Sequence, residues 1–505
     1  MTMRIDRRAL MLGGGAAAVG LAMPARAQII ETGRDRVVTN LTVPLPYIGS
    51  VRARGTSEIS GSNWLLGCET LDRDFTDYDQ FKAFIAPLGI KRLRMQAGWA
   101  KTERRAGTYD FAWLDHIIND ATARGFQPWL QTSYGNPVYP GGGGDNLGAG
   151  LPKSPQALAA WDRWVAALVT RYRDKVRDWE VWNEPNFGDN MINSPEFTAD
   201  FNVRTARIIK RIQPDARISG LALGHYAQDF VDRFFDRVAA MRGFPLFHNI
   251  TYHDYSYNPD ANEIEVAKLR ASLDRYAPKM PLRQGENGAP SSGGVGRGAL
   301  WDYDWSELTQ AKWNTRRMLG NLGHDIESSV FGLVEMSYTN GPINKMNFKG
   351  LLKSDATKRV IRPKTAYYAV QNVASIFDDR LERIRTLHHS HNAAAAAAGE
   401  TLFSHSTDRR VAMYGFRSKA NGQTLYTAWL SENIPSESNA LRLQTMTISG
   451  ARMNDPVWVD VISGAVHAIP AGQWRQEDGK LRLEGVPIYD APIVVADRSL
   501  IAITT

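Results

Sequence analysis

Two glutamates stand where short apolar runs give way to polar turns. The first closes the segment Asp178-Trp179-Glu180-Val181-Trp182-Asn183-Glu184-Pro185-Asn186. A strand here runs straight into an Asn-Glu-Pro turn, so Asn183 and Glu184 belong at its rim, four residues beyond Glu180. The second ends Met280-Pro281-Leu282-Arg283-Gln284-Gly285-Glu286-Asn287-Gly288, with Glu286 at the exit of another short run. Paired carboxylates can divide acid/base work from nucleophilic work when their surroundings favour a proton on one and charge on the other. A carboxylate that must stay ionised beside another acid needs donors around it, and Arg94, His253 and Tyr255 stand at or near the ends of further runs.

For such groups to meet, the fold must gather strand ends in one place. From residue 61 to 376, short apolar runs alternate with longer amphipathic segments, the pattern of β/α units and a parallel sheet. The expected strands are Trp64 to Cys68, Leu93 to Ala97, Gln127 to Thr132, Asp178 to Trp182, Arg217 to Ala222, Ile250 to Asp254, Pro281 to Gly285 and Val330 to Val334. Eight units over about 300 residues fit a closed (β/α)8 TIM barrel, whose reactive groups sit at the C-terminal strand ends. Between the strands, Leu158, Trp161, Val165, Leu168 and Tyr172 recur at helical spacing, as do Tyr78, Phe81, Ile85 and Leu88. Such stripes predict core packing. The Gly-rich stretches Gly141 to Gly150 and Ser291 to Gly298 follow strands three and seven and read as rim loops, because neither has a phosphate-cradling arrangement.

The WEVWNEPN segment at the fourth strand resembles the acid/base motif of clan A glycoside hydrolases, and its form is most similar to family 39. This resemblance implies a retaining hydrolase of β-glycosidic bonds with Glu184 as acid/base and Glu286 as nucleophile, the two roughly 5 Å apart. By the same resemblance, Arg94 and Tyr255 hydrogen-bond the nucleophile, Asn183 binds the sugar 2-hydroxyl, and His253 orients the glycone or the acid/base. The implied substrate is a carbohydrate, cleaved in the exo manner of a β-xylosidase. Where family 39 more often has an aromatic after the nucleophile, this chain has Asn287 and Gly288. Sugars stack on aromatic rings, which makes Trp99, Tyr134, Tyr139, Trp301, Trp305 and Tyr338 candidate platforms. Glu69, Glu103 and Glu335 follow strands one, two and eight as hydroxyl-binding or salt-bridging groups, and Glu335 is the rival of Glu286.

After Phe377 the texture changes to alternating strands broken by turns, including Thr424 to Leu430, Val457 to Val461 and Leu481 to Val486. That predicts a C-terminal β-sandwich over 377–505, with strands from 28–60 packing against it. The join holds His388, His389, His391 and six alanines, read as a solvated loop because no partners stand at ligand spacing. No HExxH, EF-hand loop or cysteine cluster occurs, and hydrolysis by two carboxylates calls for neither metal nor cofactor.

Residues 1–27 have a basic start, a short apolar run and Ala25-Arg26-Ala27, the form of a signal peptide, with Arg7-Arg8 similar to a twin-arginine signal. A periplasmic or secreted location follows as an expectation, with no membrane association once the leader is removed. The lone Cys68 excludes an intramolecular disulfide. Removing the leader's four arginines and one aspartate lowers the net charge from +7 to +4, and no basic, aromatic-interleaved run suggests nucleic acid. Two other functions fit the same residues: an endo-acting hydrolase of an exopolysaccharide, and a carbohydrate-binding barrel without catalysis.

Overall fold

The computed structural model describes residues 28–30, 37–39, 41–187, 192–293, 298–339, 345–391 and 411–505; the segment 1–27, read above as a leader, and the alanine run lie outside them. Eight parallel strands close a barrel in chain order. They are β1 (Trp64–Gly67), β2 (Arg92–Gln96), β3 (Gln127–Thr132), β4 (Asp178–Val181), β5 (Arg217–Leu223), β6 (Asn249–Tyr252), β7 (Leu282–Gln284) and β8 (Glu327–Val330). The long outer helices have clear starts. Ser154 caps Pro155–Tyr172 by accepting from Ala157 N, and Ser194 caps Pro195–Ile212 by accepting from Phe197 N, each with proline in the first turn. The stripe Trp161, Val165, Leu168 and Tyr172 is buried as its spacing predicts, with Leu158 half-buried.

Two elements differ from expectation. The Tyr78 to Leu88 stripe is buried throughout, yet it is broken into short turns. Pro87 lies in the last of these, and Gly89, at φ 73°, ends it. The eighth strand lies three residues earlier than its apolar run suggests. Glu327, Ser328 and Ser329 occupy it, with Ser328 accepting from Asn321 Nδ2 at 3.0 Å. The run after Val330 leaves the barrel, and Leu333 N donates to Gly67 O at 2.8 Å.

The second unit packs an eight-stranded antiparallel sheet beside a four-stranded one. Tyr47–Val51 enters the larger sheet between Ala465–Ala468 and Ile503–Thr504, whereas Gln28–Ile30 and Val37–Thr39 form a separate two-stranded sheet. His389–His391, read above as solvated loop, is instead a half-buried strand pairing with residues 446–448, because main-chain pairing to the sheet edge outweighs the polarity of its side chains.

Helix Glu307–Gly323 is sandwiched between the two units, which explains why its charged residues are buried. Lys312 Nζ donates to Ser436 O, Ser438 O and Asp490 Oδ1 at 2.6–2.8 Å. Arg316 pairs with Asp260 and donates to Ser431 O at 3.1 Å. Buried charges with this many partners fix one unit against the other. Among the described residues, no helix is long and apolar enough to cross a membrane.

Candidate active site

The C-terminal ends of β2, β4, β6 and β7 converge on one cluster of side chains. After β4 the chain turns through two left-handed residues, Trp182 at φ 65° and Glu184 at φ 46°, and Glu184 N donates to Ala222 O at 2.9 Å. Left-handed backbone at non-glycine residues is costly and tends to persist where function needs it. The exit of β7 is equally constrained. A Cβ on Gly288 would lie 2.0 Å from Phe331 O, so only glycine allows the strand-seven and strand-eight exits to touch. Asn287 Nδ2 donates to His253 O at 3.0 Å and Asp254 O at 3.1 Å, tying the exit of β7 to that of β6. The Asn-Gly pair after Glu286 thus fixes the backbone there.

Arg94 on β2 is the hub. Its Nε donates to Glu180 Oε2 at 2.7 Å, its Nη1 to Glu69 Oε1 at 3.0 Å and Glu286 Oε2 at 2.8 Å, and its Nη2 to Asn183 Oδ1 at 2.9 Å. Tyr255 OH donates to Glu286 Oε1 at 2.9 Å. Burial would raise the Glu286 carboxyl, but His253, Arg94 and the Tyr255 hydroxyl together hold it below the ordinary glutamate value. At Glu69, burial and the nearby Glu286 charge outweigh Arg94 and a backbone hydrogen bond, and the carboxyl is pushed up to about 7.

His253 Nδ1 contacts Glu184 Oε1 at 2.7 Å and lies 3.7 Å from Glu286 Oε2, while its Nε2 faces Arg94 Nη2 at 3.3 Å. Arginine can only donate, so in the neutral imidazole Nε2 accepts and Nδ1 carries the proton that bonds Glu184. Burial lowers the basicity of His253, and the two carboxylates outweigh it, raising the imidazole overall. One ligand atom each from Glu184, His253 and Glu286 lies within 4.8 Å of the others, which puts an oxygen of Glu184 that close to one of Glu286.

Asn183 Nδ2 donates to Tyr134 OH at 2.7 Å, and among the described residues its amide makes no second donation. Tyr134 therefore serves Asn183 with its hydroxyl, and its ring packs against Trp182 and the Arg73 guanidinium. Three expected substrate contacts are corrected. Trp99 is fully buried, stacked on Tyr139 and Trp164, with Nε1 donating to Glu103 at 2.6 Å. Trp305 is buried against Tyr303 and donates to Leu300 O. Glu335, five residues past the true end of β8, is buried in an ion pair with Lys364 at 3.0 Å and accepts from Ser354 N, so it does not compete with Glu286. Glu103 is likewise occupied by Trp99, Tyr139 and Gly107 N.

A cavity of about 560 Å³ opens onto Glu184, Glu286 and Tyr255. Its lining includes apolar Leu147, Leu300, Phe187 at 37% exposure and Trp301 at 45%, together with Tyr338, Asn347 and Lys349. Phe187 and Lys349 are among the lining residues that sequence reasoning missed. The first follows Glu184 by three residues and was legible as a neighbour of the motif; the second lies beyond an excursion after β8 and carries no local signal.

No protein-family model and no curated protein matches the chain in sequence. Solved structures share its fold. A family 39 glycoside hydrolase from Bacteroides cellulosilyticus WH2 is 16% identical with a TM-score of 0.56, over 87% of this chain and 81% of that one. A monomeric β-xylosidase from Caulobacter crescentus CB15 is 16% identical at 0.54, over 89% and 97%. The catalytic domain of GH30 xylanase C from Talaromyces cellulolyticus is 13% identical at 0.53, over 91% and 99%.

Proposed function

We propose that this chain is a retaining glycoside hydrolase that cleaves β-glycosidic bonds through Glu184 and Glu286. The observation that carries the proposal is the pair itself. The two carboxylates stand at the ends of β4 and β7 with one oxygen of each within 4.8 Å of the other, which supports the close spacing of a covalent double displacement over the wider spacing of an inverting pair.

Glu184 protonates the glycosidic oxygen as the C1–O bond breaks, and the leaving alcohol departs with that proton. A Glu286 oxygen forms the new bond to C1 from the opposite face. Glu184, now a carboxylate, then takes a proton from water, whose oxygen attacks C1 and releases the Glu286 carboxylate. Two inversions give net retention. Arg94 and Tyr255 keep Glu286 ionised and aimed, so nucleophile and donors need no reorganisation in the transition state. The His253 Nδ1–H occupies Glu184 Oε1, which leaves Oε2 to carry the transferred proton. The second Asn183 N–H suits the 2-hydroxyl, where contacts strengthen as positive charge develops at C1.

The β-xylosidase that shares this fold supports an exo-acting mode. A periplasmic or secreted location is part of the same proposal, on the strength of the leader sequence. The test is stereochemical. Proton NMR of the first product should find the β-anomer before mutarotation, and the α-anomer appearing first would exclude this mechanism.

A further inference from the structure

Three lysines are fully buried among the described residues, Lys312, Lys349 and Lys364. Two of them pair with carboxylates, Lys312 with Asp490 at 2.6 Å and Lys364 with Glu335 at 3.0 Å. Lys349 does not. Its side chain is in the wall of the cavity at 1% exposure, and among the described residues its ammonium donates one hydrogen bond, to Ala299 O at 2.6 Å, and enters no ion pair. Two N–H bonds are left over.

An ammonium taken out of water without a counter-charge is expensive, and buried charges are as a rule paired. Nor is Lys349 there by slack in the chain. Its N–H donates to Asn347 Oδ1 at 3.1 Å, its carbonyl accepts from Gln310 Nε2 at 3.0 Å, and its ammonium lies 5.4 Å from the centre of the Tyr255 ring. Tyr255 in turn donates to Glu286, so the unused donors stand one side chain away from the nucleophile. The nucleophile does not need this cation as its own partner, because Arg94 and Tyr255 already take one oxygen each.

We propose that Lys349 recognises an acidic substituent on the substrate, so that the sugar held in this cavity carries a carboxylate or a sulfate ester. The inference rests on the hydrolase reading for its choice of a sugar as ligand and goes beyond it in naming the sugar's class. It agrees with the electrostatics of the cavity. Burial draws the Lys349 ammonium down to about 8 despite the Glu286 and Glu184 carboxylates, and a bound anion would restore its charge. The charge-assisted bond is specific, since a neutral hydroxyl replaces only part of it.

The test uses matched pairs of β-linked oligosaccharides: uronate-containing chains against the same chains carboxyl-reduced to neutral sugars, and sulfated chains against desulfated ones. Cleavage is followed with the wild type and with Lys349→Met and Lys349→Arg. Binding is followed with the same lysine substitutions placed in a Glu184→Gln/Glu286→Gln background. The expected result is a preference for one acidic member of roughly 10- to 100-fold over its neutral partner. Lys349→Met should abolish that preference by losing far more on the acidic member than on its neutral partner, and Lys349→Arg should keep part of it. Whether the uronate or the sulfate arm responds identifies the anion. Thermal unfolding should find Lys349→Met at least as stable as the wild type, because it removes an unpaired buried charge. Cleavage of neutral chains with no acidic preference, or equal loss on both members of a pair, overturns the inference and leaves the hydrolase reading standing. Acidic chains bound through Lys349 but never cleaved do the reverse, and no binding to any member overturns the inference.

Discussion

Arg94 Nη1 is shared between Glu69 Oε1, at 3.0 Å, and Glu286 Oε2, at 2.8 Å. One guanidinium nitrogen thus connects the group proposed as nucleophile to a second buried carboxyl. Lysine could keep the charge but not the fork that also reaches Glu180 and Asn183. Arg94→Lys should lower kcat by at least about a hundredfold. It should also lower the melting temperature, as steady-state kinetics and thermal unfolding would read.

Glu69 makes stability depend on pH. Burial raises it from 4.5 to about 7, so between those values the native chain keeps a proton that the unfolded chain has lost. Stability from this group is therefore lost as pH rises through that window. Glu69→Gln removes the effect. The stability of the variant relative to wild type should improve from pH 5 to pH 8, by on the order of 1–3 kcal/mol. Denaturant unfolding at the two pH values checks it, and a difference that stays constant contradicts it.

Gly288 tests the backbone that aims Glu286. An alanine Cβ there would meet Phe331 O at 2.0 Å, and neither backbone segment can move without shifting a strand exit. Gly288→Ala should cost roughly 1–3 kcal/mol of stability. Turnover should fall with KM nearly unchanged, because the nucleophile is displaced while most of the cavity is intact.

The contact between barrel and sandwich makes a different prediction. Asp490→Ala leaves the Lys312 ammonium buried without its carboxylate, at a cost of about 3 kcal/mol or more. Adding Lys312→Met should recover much of that loss, which urea unfolding of the single and double variants would reveal. A double variant weaker than Asp490→Ala would contradict it.

Much of this was legible in the chain, for identifiable reasons. Strands one to seven lie within two residues of their apolar runs because both faces are buried, one in the barrel and one under helices. Strand eight was displaced because Glu327, Ser328 and Ser329 look like a turn, and their burial and hydrogen bonds are tertiary facts. Glu184 and Glu286 could be found because strand ends at a barrel mouth are the places where reactive groups gather. The aromatic platforms could not, since a tryptophan just past a strand turns inward or outward according to tertiary packing. Trp99 stacks in the core while Trp301 opens on the cavity. Lys349 was invisible because its meaning lies in the carboxylate partner it lacks among the described residues.

The most direct measurement is hydrolysis of aryl β-glycosides and β-linked polysaccharides, acidic and neutral, by residues 28–505, with Glu184→Gln and Glu286→Gln in parallel. Turnover of a substrate by the wild type, lost by roughly 10²–10⁴-fold or more in both variants, is the predicted result. For Glu184→Gln the loss should be smallest on the best leaving groups, which need least protonation. Carbohydrate binding without turnover, unchanged in both variants, would contradict it.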